Sequence, residues 1–246
     1  MNNDLGNHDR SIRLWGQEAF EKLQKSRICV LGLGGVGSFC VSSLARGGLG
    51  SLLLIDGDVV DPSNMNRQAF AFVDTIGYPK TEIAKRFVSQ VAPKCDCKFY
   101  DSFITTDNFD DVESVIRDFK PDWIVDAIDS ITIKLLLAQN FVGKSGIEFI
   151  AATGAANKTD ASKLTIAKLS QTKYDPICKI MRSEMKKRHI ADYRVCFSTE
   201  EVRFSKDAAI TRTGKKKILG STSFIPAIMG HMLAGYVMNE ITGRLK

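Results

Sequence analysis

No internal repeat, low-complexity linker or CxxC cysteine pair occurs in this chain of 246 residues. The six cysteines are Cys29, Cys40, Cys95, Cys97, Cys178 and Cys196. Cys95 and Cys97 stand too close together for a structural zinc hairpin, and no second Cys or His pair accompanies them, so we expect no zinc. Because we find no secretory signal segment, the cysteines indicate a reducing, cytoplasmic setting rather than a disulfide framework.

Long uninterrupted apolar stretches are also missing. The one candidate, residues 224–241, is broken by Pro226, Gly230, His231 and Glu240. A membrane-spanning helix needs about 20 predominantly apolar residues, so we expect a buried core helix here and no stable membrane insertion. No Pro-rich or Ser-rich boundary divides the chain, and one continuous domain is therefore the default.

The composition that remains is that of an ordinary globular protein. Hydrophobic residues make up 44% and charged residues 25% of the chain, which excludes a disordered, collagen-like or coiled-coil protein. The 34 Lys and Arg exceed the 28 Asp and Glu, giving a net charge of +6. Residues 158–217 hold 16 of the basic and 7 of the acidic residues, so this stretch carries the whole positive excess.

Short apolar runs alternate with segments of helical periodicity. The runs lie at residues 28–31, 52–55, 97–100, 123–128 and 149–152, and the helical segments at residues 38–45, 81–91, 108–118 and 133–141. This alternation predicts an α/β fold with a Rossmann-like, doubly wound, mainly parallel sheet. Residues 163–169 and 193–198 indicate antiparallel strands that extend the sheet in the C-terminal part. Between them, residues 175–194 are predicted to form an exposed, basic helical excursion.

A glycine-rich loop follows the first predicted strand. The sequence GLGGVG, with Gly32, Gly34, Gly35 and Gly37, lies directly between that strand and the next predicted helix. Glycines permit a tight turn and let backbone N–H groups approach a phosphate at a helix N-terminus. Asp56, at the end of the second strand, is placed to accept hydrogen bonds from ribose hydroxyls. These features predict a nucleotide site but do not separate NAD from ATP.

The residues after Asp56 favour ATP. Arg67 and Lys80 place a guanidinium and an ammonium soon after the ribose-binding strand, where a dehydrogenase needs neither. Both would neutralise charge as pyrophosphate leaves a triphosphate. Asp129 follows the fourth strand at the carboxyl edge of the sheet, and its predicted role is a magnesium ligand or an anchor for a magnesium-bound water. The alternative for each of these charged residues is a loop ion pair.

These motifs resemble the adenylating fold shared by ubiquitin-activating enzymes and the bacterial proteins MoeB and ThiF. The resemblance rests on residues 32–37, Asp56, Ser63, Asn64, Met65, Asn66, Arg67, Gln68, Lys80 and residues 126–130. It implies that Ser63, Asn64 and Asn66 join the glycine loop in binding ATP. Residues 9–16 look like the N-terminal arginine motif of that superfamily. The resemblance therefore implies that Arg10 reaches the ATP phosphates of the neighbouring subunit and that the protein is a homodimer.

Within this superfamily the chain is similar to the TcdA (CsdL) family of tRNA threonylcarbamoyladenosine dehydratases. The similar segments are residues 66–68, 126–130, 153–155, 175–176, 196–200 and 220–226. MoeB and ThiF normally carry two CxxC pairs for zinc, which this chain lacks. The resemblance implies an ATP- and magnesium-dependent dehydration of threonylcarbamoyladenosine in tRNA through an acyl adenylate. Three alternatives stay open: adenylation of the C-terminus of a ubiquitin-like sulfur-carrier protein, a nucleotide-binding scaffold without chemistry and, more distantly, a dehydrogenase.

Two cysteines are weighed as nucleophiles, since related activating enzymes transfer the acyl group to a thiolate. Cys196 is the candidate thiol, with a small packed hydrophobe in its strand as the alternative. Cys178 lies in the segment predicted to be exposed, and its expected role is structural or incidental. A cyclisation within the substrate already has a high effective concentration and needs no enzyme nucleophile.

The basic stretch is predicted to contact tRNA phosphates, which sets affinity without reading sequence. The first candidates are Lys186, Lys187, Arg188, Lys215, Lys216 and Lys217. The alternative is a solvated lysine-rich face. The single domain is thus divided into a helical arm (1–26), a nucleotide-binding core (27–157) and a basic, substrate-side extension with a C-terminal helix (158–246). A sulfur-transfer partner from a cysteine desulfurase system and a bound monovalent cation are left open.

Overall fold

The protein folds around one sheet in the computed structural model, which describes residues 8–144, 146–201 and 220–244. Its strands are β1 (Arg27–Leu31), β2 (Ser51–Asp56), β3 (Asp96–Asp101), β4 (Trp123–Asp126), β5 (Glu148–Ala152), β6 (Leu164–Lys168) and β7 (Arg194–Ser198). They lie in the order β3-β2-β1-β4-β5-β7-β6. Because β2 and β4 flank β1, the strand order reverses beside β1, and ligands of such sheets bind at this reversal.

The first five strands are parallel, as predicted from their unbroken apolar runs. β1 shows why the runs are continuous: Ile28 lies opposite Leu52 of β2 on one side and Trp123 of β4 on the other. Residues 28–31 are completely buried because helices cover both faces of the sheet. The run predicted at residues 123–128 is two residues too long, since β4 ends at Asp126 and a loop follows.

The two C-terminal strands form the antiparallel pair that the alternating pattern predicted. Ile166 of β6 lies opposite Cys196 of β7. β7 itself runs parallel to β5, with Val195 opposite Ala151, so β6 alone opposes the direction of the strands before it. The predicted fold class is confirmed, and the extension places β6 at one edge of the sheet.

The helices divide between the two faces of the sheet. They are α1 (Asp9–Trp15), α2 (Gln17–Lys25), α3 (Gly37–Arg46), α4 (Lys80–Val91), α5 (Phe109–Phe119), α6 (Ile131–Phe141), α7 (Pro176–Lys187) and α8 (Ile225–Thr242). Residues of α2, α3, α4 and α8 share one hydrophobic cluster with the sheet, and residues of α5, α6 and α7 share the other. This is the doubly wound arrangement expected from the sequence.

The prediction of an exposed excursion at residues 175–194 is wrong for one face of α7. Cys178, Met181 and Met185 recur at helical spacing and are buried against the sheet layer. The basic residues lie on the outward face of the same helix. α7 is therefore an amphipathic layer helix whose charged face dominates its sequence.

α8 is a core helix, as predicted. Leu233, Ala234 and Val237 are completely buried, and Gly230 lies so close to α3 that a Cβ there would stand 2.3 Å from the carbonyl oxygen of Val36. The stripe of small residues thus allows close contact between α3 and α8. In the described part of the chain, no helix combines the length and the apolar character needed to cross a membrane.

Candidate functional site

The glycine loop connects β1 to α3 at the point where the strand order reverses. Gly32 has a φ of 85°, and a Cβ on it would lie 2.9 Å from the carbonyl oxygen of Ala127. A Cβ on Gly37 would lie 1.8 Å from the carbonyl oxygen of Gly32. Gly34, in contrast, has nothing within 4 Å of the position of its absent Cβ. Gly32 and Gly37 are thus required by packing, while the open side of Gly34 lets a phosphate approach the backbone.

Asp56 ties the end of β2 to this loop. Its carboxylate accepts hydrogen bonds from the backbone N–H of Leu33 at 2.5 Å and from that of Asp58 at 2.8 Å. Each carboxylate oxygen has a second lone pair, so these bonds leave acceptor capacity for ribose hydroxyls. The predicted ribose contact stays a prediction, and the structure adds a loop-holding role.

The segment after β2 brings Arg67 to the glycine loop. A Cβ on Gly35 would lie 3.2 Å from the carbonyl oxygen of Arg67, 3.4 Å from its Cγ and 2.9 Å from the Cβ of Pro226 in α8. The guanidinium donates through Nη1 to the Ser63 carbonyl at 2.8 Å and to Asn66 Oδ1 at 2.9 Å. One guanidinium nitrogen therefore fixes the side chain, and the remaining N–H groups can serve a phosphate.

The turn before Arg67 contains three further predicted residues, Ser63, Asn64 and Asn66. Asp61 caps the 3₁₀ turn Pro62–Asn64, and hydrogen bonds from Ser63 lower the pKa of its carboxyl group. Asn64 is buried, and its Oδ1 accepts from the backbone N–H of Asp61 at 3.2 Å. Asn66 is exposed and donates to the carbonyl of Ser221 at 3.3 Å. Asn64 thus shapes the turn, whereas Ser63 and Asn66 lie at its surface.

Lys80 begins α4 and is buried, with a side chain that is 8% exposed. Its ammonium forms an ion pair with the carboxylate of Asp58, and its backbone N–H donates to the Asp58 carbonyl at 3.0 Å. Lys80 therefore forms an ion pair with a loop residue, which is the alternative that the sequence left open for it. A phosphate that binds Lys80 has to share it with Asp58 or displace that carboxylate.

Asp129 lies in the loop between β4 and α6 and is exposed. None of the described residues forms a hydrogen bond or ion pair with its carboxylate. A single free carboxylate near bound phosphates is the donor set that Mg²⁺ accepts, since this ion retains several waters and uses one or two protein carboxylates. The described residues hold no group of three or more His, Cys, Asp or Glu that would form a metal cage of protein side chains. Asp129 fits magnesium brought by ATP.

Arg10 lies in α1 and is exposed. Within the described part of the chain its guanidinium has no hydrogen bond or ion pair. The structure of one chain thus leaves its predicted role across the subunit boundary as a prediction.

The family follows from the sequence as a whole. A family model described as the ThiF family matches residues 8–246. The chain belongs to the ThiF family.

Two comparisons place this ThiF-family chain more narrowly. The tRNA threonylcarbamoyladenosine dehydratase of Bacillus subtilis (strain 168) is 36% identical over 236 residues, which are 92% of this chain and 91% of the relative. The crystal structure of E. coli TcdA, a tRNA N6-threonylcarbamoyladenosine dehydratase, in complex with ATP has 27% sequence identity and a TM-score of 0.83. The match covers 97% of this chain and 94% of that chain. The resemblance to the TcdA family is confirmed.

The sulfur-carrier alternative finds a shorter match. A probable molybdopterin-synthase adenylyltransferase of Porphyra purpurea is 31% identical over 129 residues, which are 52% of this chain and 32% of the relative. The similarity to such activators thus covers half of this ThiF-family chain, whereas the similarity to the dehydratases covers nearly all of it.

Both weighed cysteines of this ThiF-family chain are buried. Cys196 lies inside β7 with no exposed surface, and burial raises the pKa of its thiol to about 12. The expectation that Cys178 is exposed is wrong: it lies on the inner face of α7 and is completely buried, and burial raises the pKa of its thiol to about 12. A thiolate is the reactive form, so the burial of both thiols disfavours a nucleophilic role for either cysteine. Cys196 is packed in its strand as a small apolar residue, which is the alternative weighed from the sequence.

The described basic candidates cluster at the C-terminal end of α7. Lys186, Lys187 and Arg188 are exposed. Glu184 pairs with Lys187 at 2.6 Å and with Arg188 at 3.5 Å, and the hydrogen bond from Lys187 lowers the pKa of Glu184. Two of the three charges are thus partly neutralised within the helix. Lys215, Lys216 and Lys217 lie outside the described residues.

Sequence reasoning missed Asp58 and Lys134. Lys134 lies inside α6, is 2% exposed and pairs with Asp126 at the end of β4. The sequence did contain a sign of this pair. α6 is apolar nearly all round, and a single Lys within such a helix needs a buried partner. No comparable pattern marked Asp58.

A cleft of about 770 Å³ lies at the amino-terminal ends of β4, β5 and β7, where Trp123, Glu148 and Arg194 line it. Parallel strands place their carboxyl ends at the opposite edge, which carries the glycine loop. None of the predicted site residues lines this cleft, and the predicted nucleotide-binding residues lie instead in and beside the loops after β1, β2 and β4.

Proposed function

We propose that this chain is an ATP-dependent tRNA threonylcarbamoyladenosine dehydratase. The observation that carries the proposal is the contact between Gly35 and Arg67, which brings the backbone carbonyl and the Cγ of Arg67 beside an open phosphate-binding loop. The likeness to named dehydratases over nearly the whole chain selects the substrate. Activation of a ubiquitin-like sulfur carrier is the weaker alternative, since it is supported by similarity over half of the chain.

In the first step the threonyl carboxylate of the modified adenosine attacks the α-phosphorus of ATP. A carboxylate–phosphorus bond forms, the bond to pyrophosphate breaks, and the product is an acyl adenylate. Arg67 and Lys80 neutralise charge that develops on the phosphates, and Gly34 admits them to the backbone. Magnesium, held through Asp129, would supply further neutralisation of the pyrophosphate leaving group.

In the second step the carbamoyl group of the same nucleoside closes on the activated carbonyl. AMP leaves, and the cyclic product has lost one water relative to the substrate. The attacking group is already part of the substrate. The protein therefore has to position this group and does not have to supply a nucleophile of its own. The burial of Cys178 and Cys196 supports this route over a thioester route.

The test is conversion of tRNA that carries threonylcarbamoyladenosine. The protein is incubated with this tRNA, ATP and magnesium, the tRNA is digested gently to nucleosides, and mass spectrometry follows loss of one water. We expect conversion only with ATP, and none with the Lys80→Met variant. An unchanged nucleoside mass in fresh samples, together with adenylation of a ubiquitin-like sulfur carrier, favours the alternative.

The proposals for partners rest on exposed groups of the described residues and, outside them, on the sequence alone. We assign tRNA contacts to the positive surface at the end of α7 and to the basic segment that follows β7, and a homodimer to explain Arg10. Exposed apolar side chains on the segment that carries Arg67, among them Phe72, Val73 and Tyr78, support a protein partner at this face.

The division of the chain into a helical arm, a nucleotide-binding core and a substrate-side extension is part of the same proposal. So is a cytoplasmic location of the protein.

A further inference from the structure

A buried ion pair lies directly under the candidate magnesium loop. Asp126 ends β4 with a side chain that is 1% exposed, and Lys134 in α6 has a side chain that is 3% exposed. Lys134 Nζ lies 3.0 Å from Asp126 Oδ1. Lys134 is thus paired in the protein interior with a carboxylate that is almost completely buried.

The same carboxylate oxygen organises the loop that leads to Asp129. Asp126 Oδ1 accepts the backbone N–H of Ile128 at 3.1 Å. The next backbone group, the carbonyl of Ala127, is the one that a Cβ on Gly32 would approach to 2.9 Å. The ion pair therefore fixes three neighbouring features: the start of α6, the residue before Asp129 and the wall of the glycine loop.

Stability alone does not explain this arrangement. Removing two charges from water is unfavourable, and a protein in which apolar groups of similar volume replace a buried ion pair is often as stable as the original or more stable. The best-attested use of such a buried pair is to fix one conformation of the segments that it joins. The feature whose conformation it defines is the loop from residue 127 to Ser130.

We propose that Asp126 and Lys134 are positioning residues that hold the 127–130 loop so that Asp129 faces the magnesium of bound ATP. The inference rests on the proposed function, because it requires an enzyme that binds magnesium and ATP. Neither residue touches the nucleotide in this scheme. Asp126 acts through the N–H of Ile128, and Lys134 acts by pairing with the Asp126 carboxylate and orienting it.

The test compares two double variants that both remove the buried charges. Asp126→Leu with Lys134→Met replaces the pair by apolar groups and deletes the acceptor for Ile128. Asp126→Asn with Lys134→Met also removes both charges but keeps a side-chain oxygen for that N–H. Both are measured for thermal unfolding and, by calorimetry, for ATP dissociation constants with magnesium and with EDTA.

We expect both variants to fold, the Leu–Met variant to bind ATP with magnesium about tenfold more weakly, and the Asn–Met variant to recover most of that affinity. With EDTA the three proteins should bind ATP alike. In the Asp129→Asn background, the Leu–Met change should cause no further loss, because both act through the same contact.

Three results overturn the proposal: equal loss in both double variants, equal loss with and without magnesium, or losses that add to that of Asp129→Asn. If a double variant does not fold, Lys134→Gln alone is put through the same magnesium comparison and the same Asp129→Asn cycle. Failure of the wild-type protein to bind ATP would instead contradict the proposed function itself, so the two failures are distinguishable.

Discussion

Lys80 and Asp58 form an ion pair between the first residue of α4 and the loop after β2, with Lys80 buried and the Asp58 side chain 45% exposed. The ammonium proposed to neutralise ATP phosphates is therefore already paired. A backbone bridge between Val59 and Pro79 holds the two segments together beside this pair. Because the partner lies at the surface, the exchange of a carboxylate for a phosphate can occur without opening the core.

This relationship predicts that Asp58→Asn binds ATP at least as tightly as the wild type, since Lys80 is released from a competing carboxylate. Lys80→Met should weaken ATP binding by about tenfold or more, as loss of a charge-assisted contact does. Calorimetric titration with ATP measures both. Asp74→Asn, an exposed acid on the same segment, is the control for net charge. Weaker binding in Asp58→Asn than in Asp74→Asn would show that Asp58 itself helps to hold the nucleotide.

The glycines of the loop should separate folding from binding. In Gly37→Ala the new methyl group collides with the backbone of Gly32, so we expect a loss of about 3 kcal/mol or more in the free energy of unfolding. In Gly34→Ala the methyl group enters open space, so the protein should keep its stability and lose ATP affinity. Urea unfolding and ATP titration of both variants measure this contrast. Normal ATP affinity in Gly34→Ala would show that the phosphate does not bind on that side of the loop.

The sequence allowed the sheet to be predicted well, because parallel strands covered on both faces appear as continuous apolar runs, as at residues 28–31 and 52–55. The sequence also pointed to Gly32, Gly37 and Arg67. Close contacts between backbone segments require glycines at a fixed spacing, and Arg67 follows soon after the second strand. The burial of one face of α7 was missed because the basic residues in this part of the sequence outnumber the buried Cys178, Met181 and Met185. The pairs Lys80–Asp58 and Lys134–Asp126 depend on which elements meet in space, and local spacing does not contain that information.

The buried cysteines predict a pH dependence of stability. Burial raises the pKa of the Cys196 thiol from 9.0 to about 12, so the folded chain holds this proton more tightly than the unfolded chain. The resulting stabilisation is complete below about pH 9 and is lost as the pH rises from there toward 12. We expect the unfolding free energy to fall between about pH 9 and 12 and to fall less in Cys196→Ala. Dehydratase activity of Cys196→Ala should remain, and its abolition in a folded variant would restore a chemical role for the thiol.

The end of α7 predicts a measurable share of tRNA affinity. Replacing Lys186, Lys187 and Arg188 by Ala should weaken tRNA binding and reduce the slope of log K against log salt by up to about 3, while ATP binding stays unchanged. Glu184→Gln is the matched variant, because it releases Lys187 and Arg188 from their common partner. It should strengthen tRNA binding. Identical salt slopes in all three proteins would identify the cluster as a solvated helix face.

Arg10 supplies the sharpest test of the proposed homodimer. If it acts across the subunit boundary, Arg10→Ala and Lys80→Met abolish activity separately but complement each other when mixed. Random exchange makes about half of the dimers mixed, and each mixed dimer has one site with both residues intact, so about a quarter of wild-type activity should return. If Arg10 acts within its own chain, every site in the mixture lacks one residue and no activity returns. Light scattering confirms the dimers, and Arg13→Ala mixed with Lys80→Met tests whether the neighbouring arginine has this role instead.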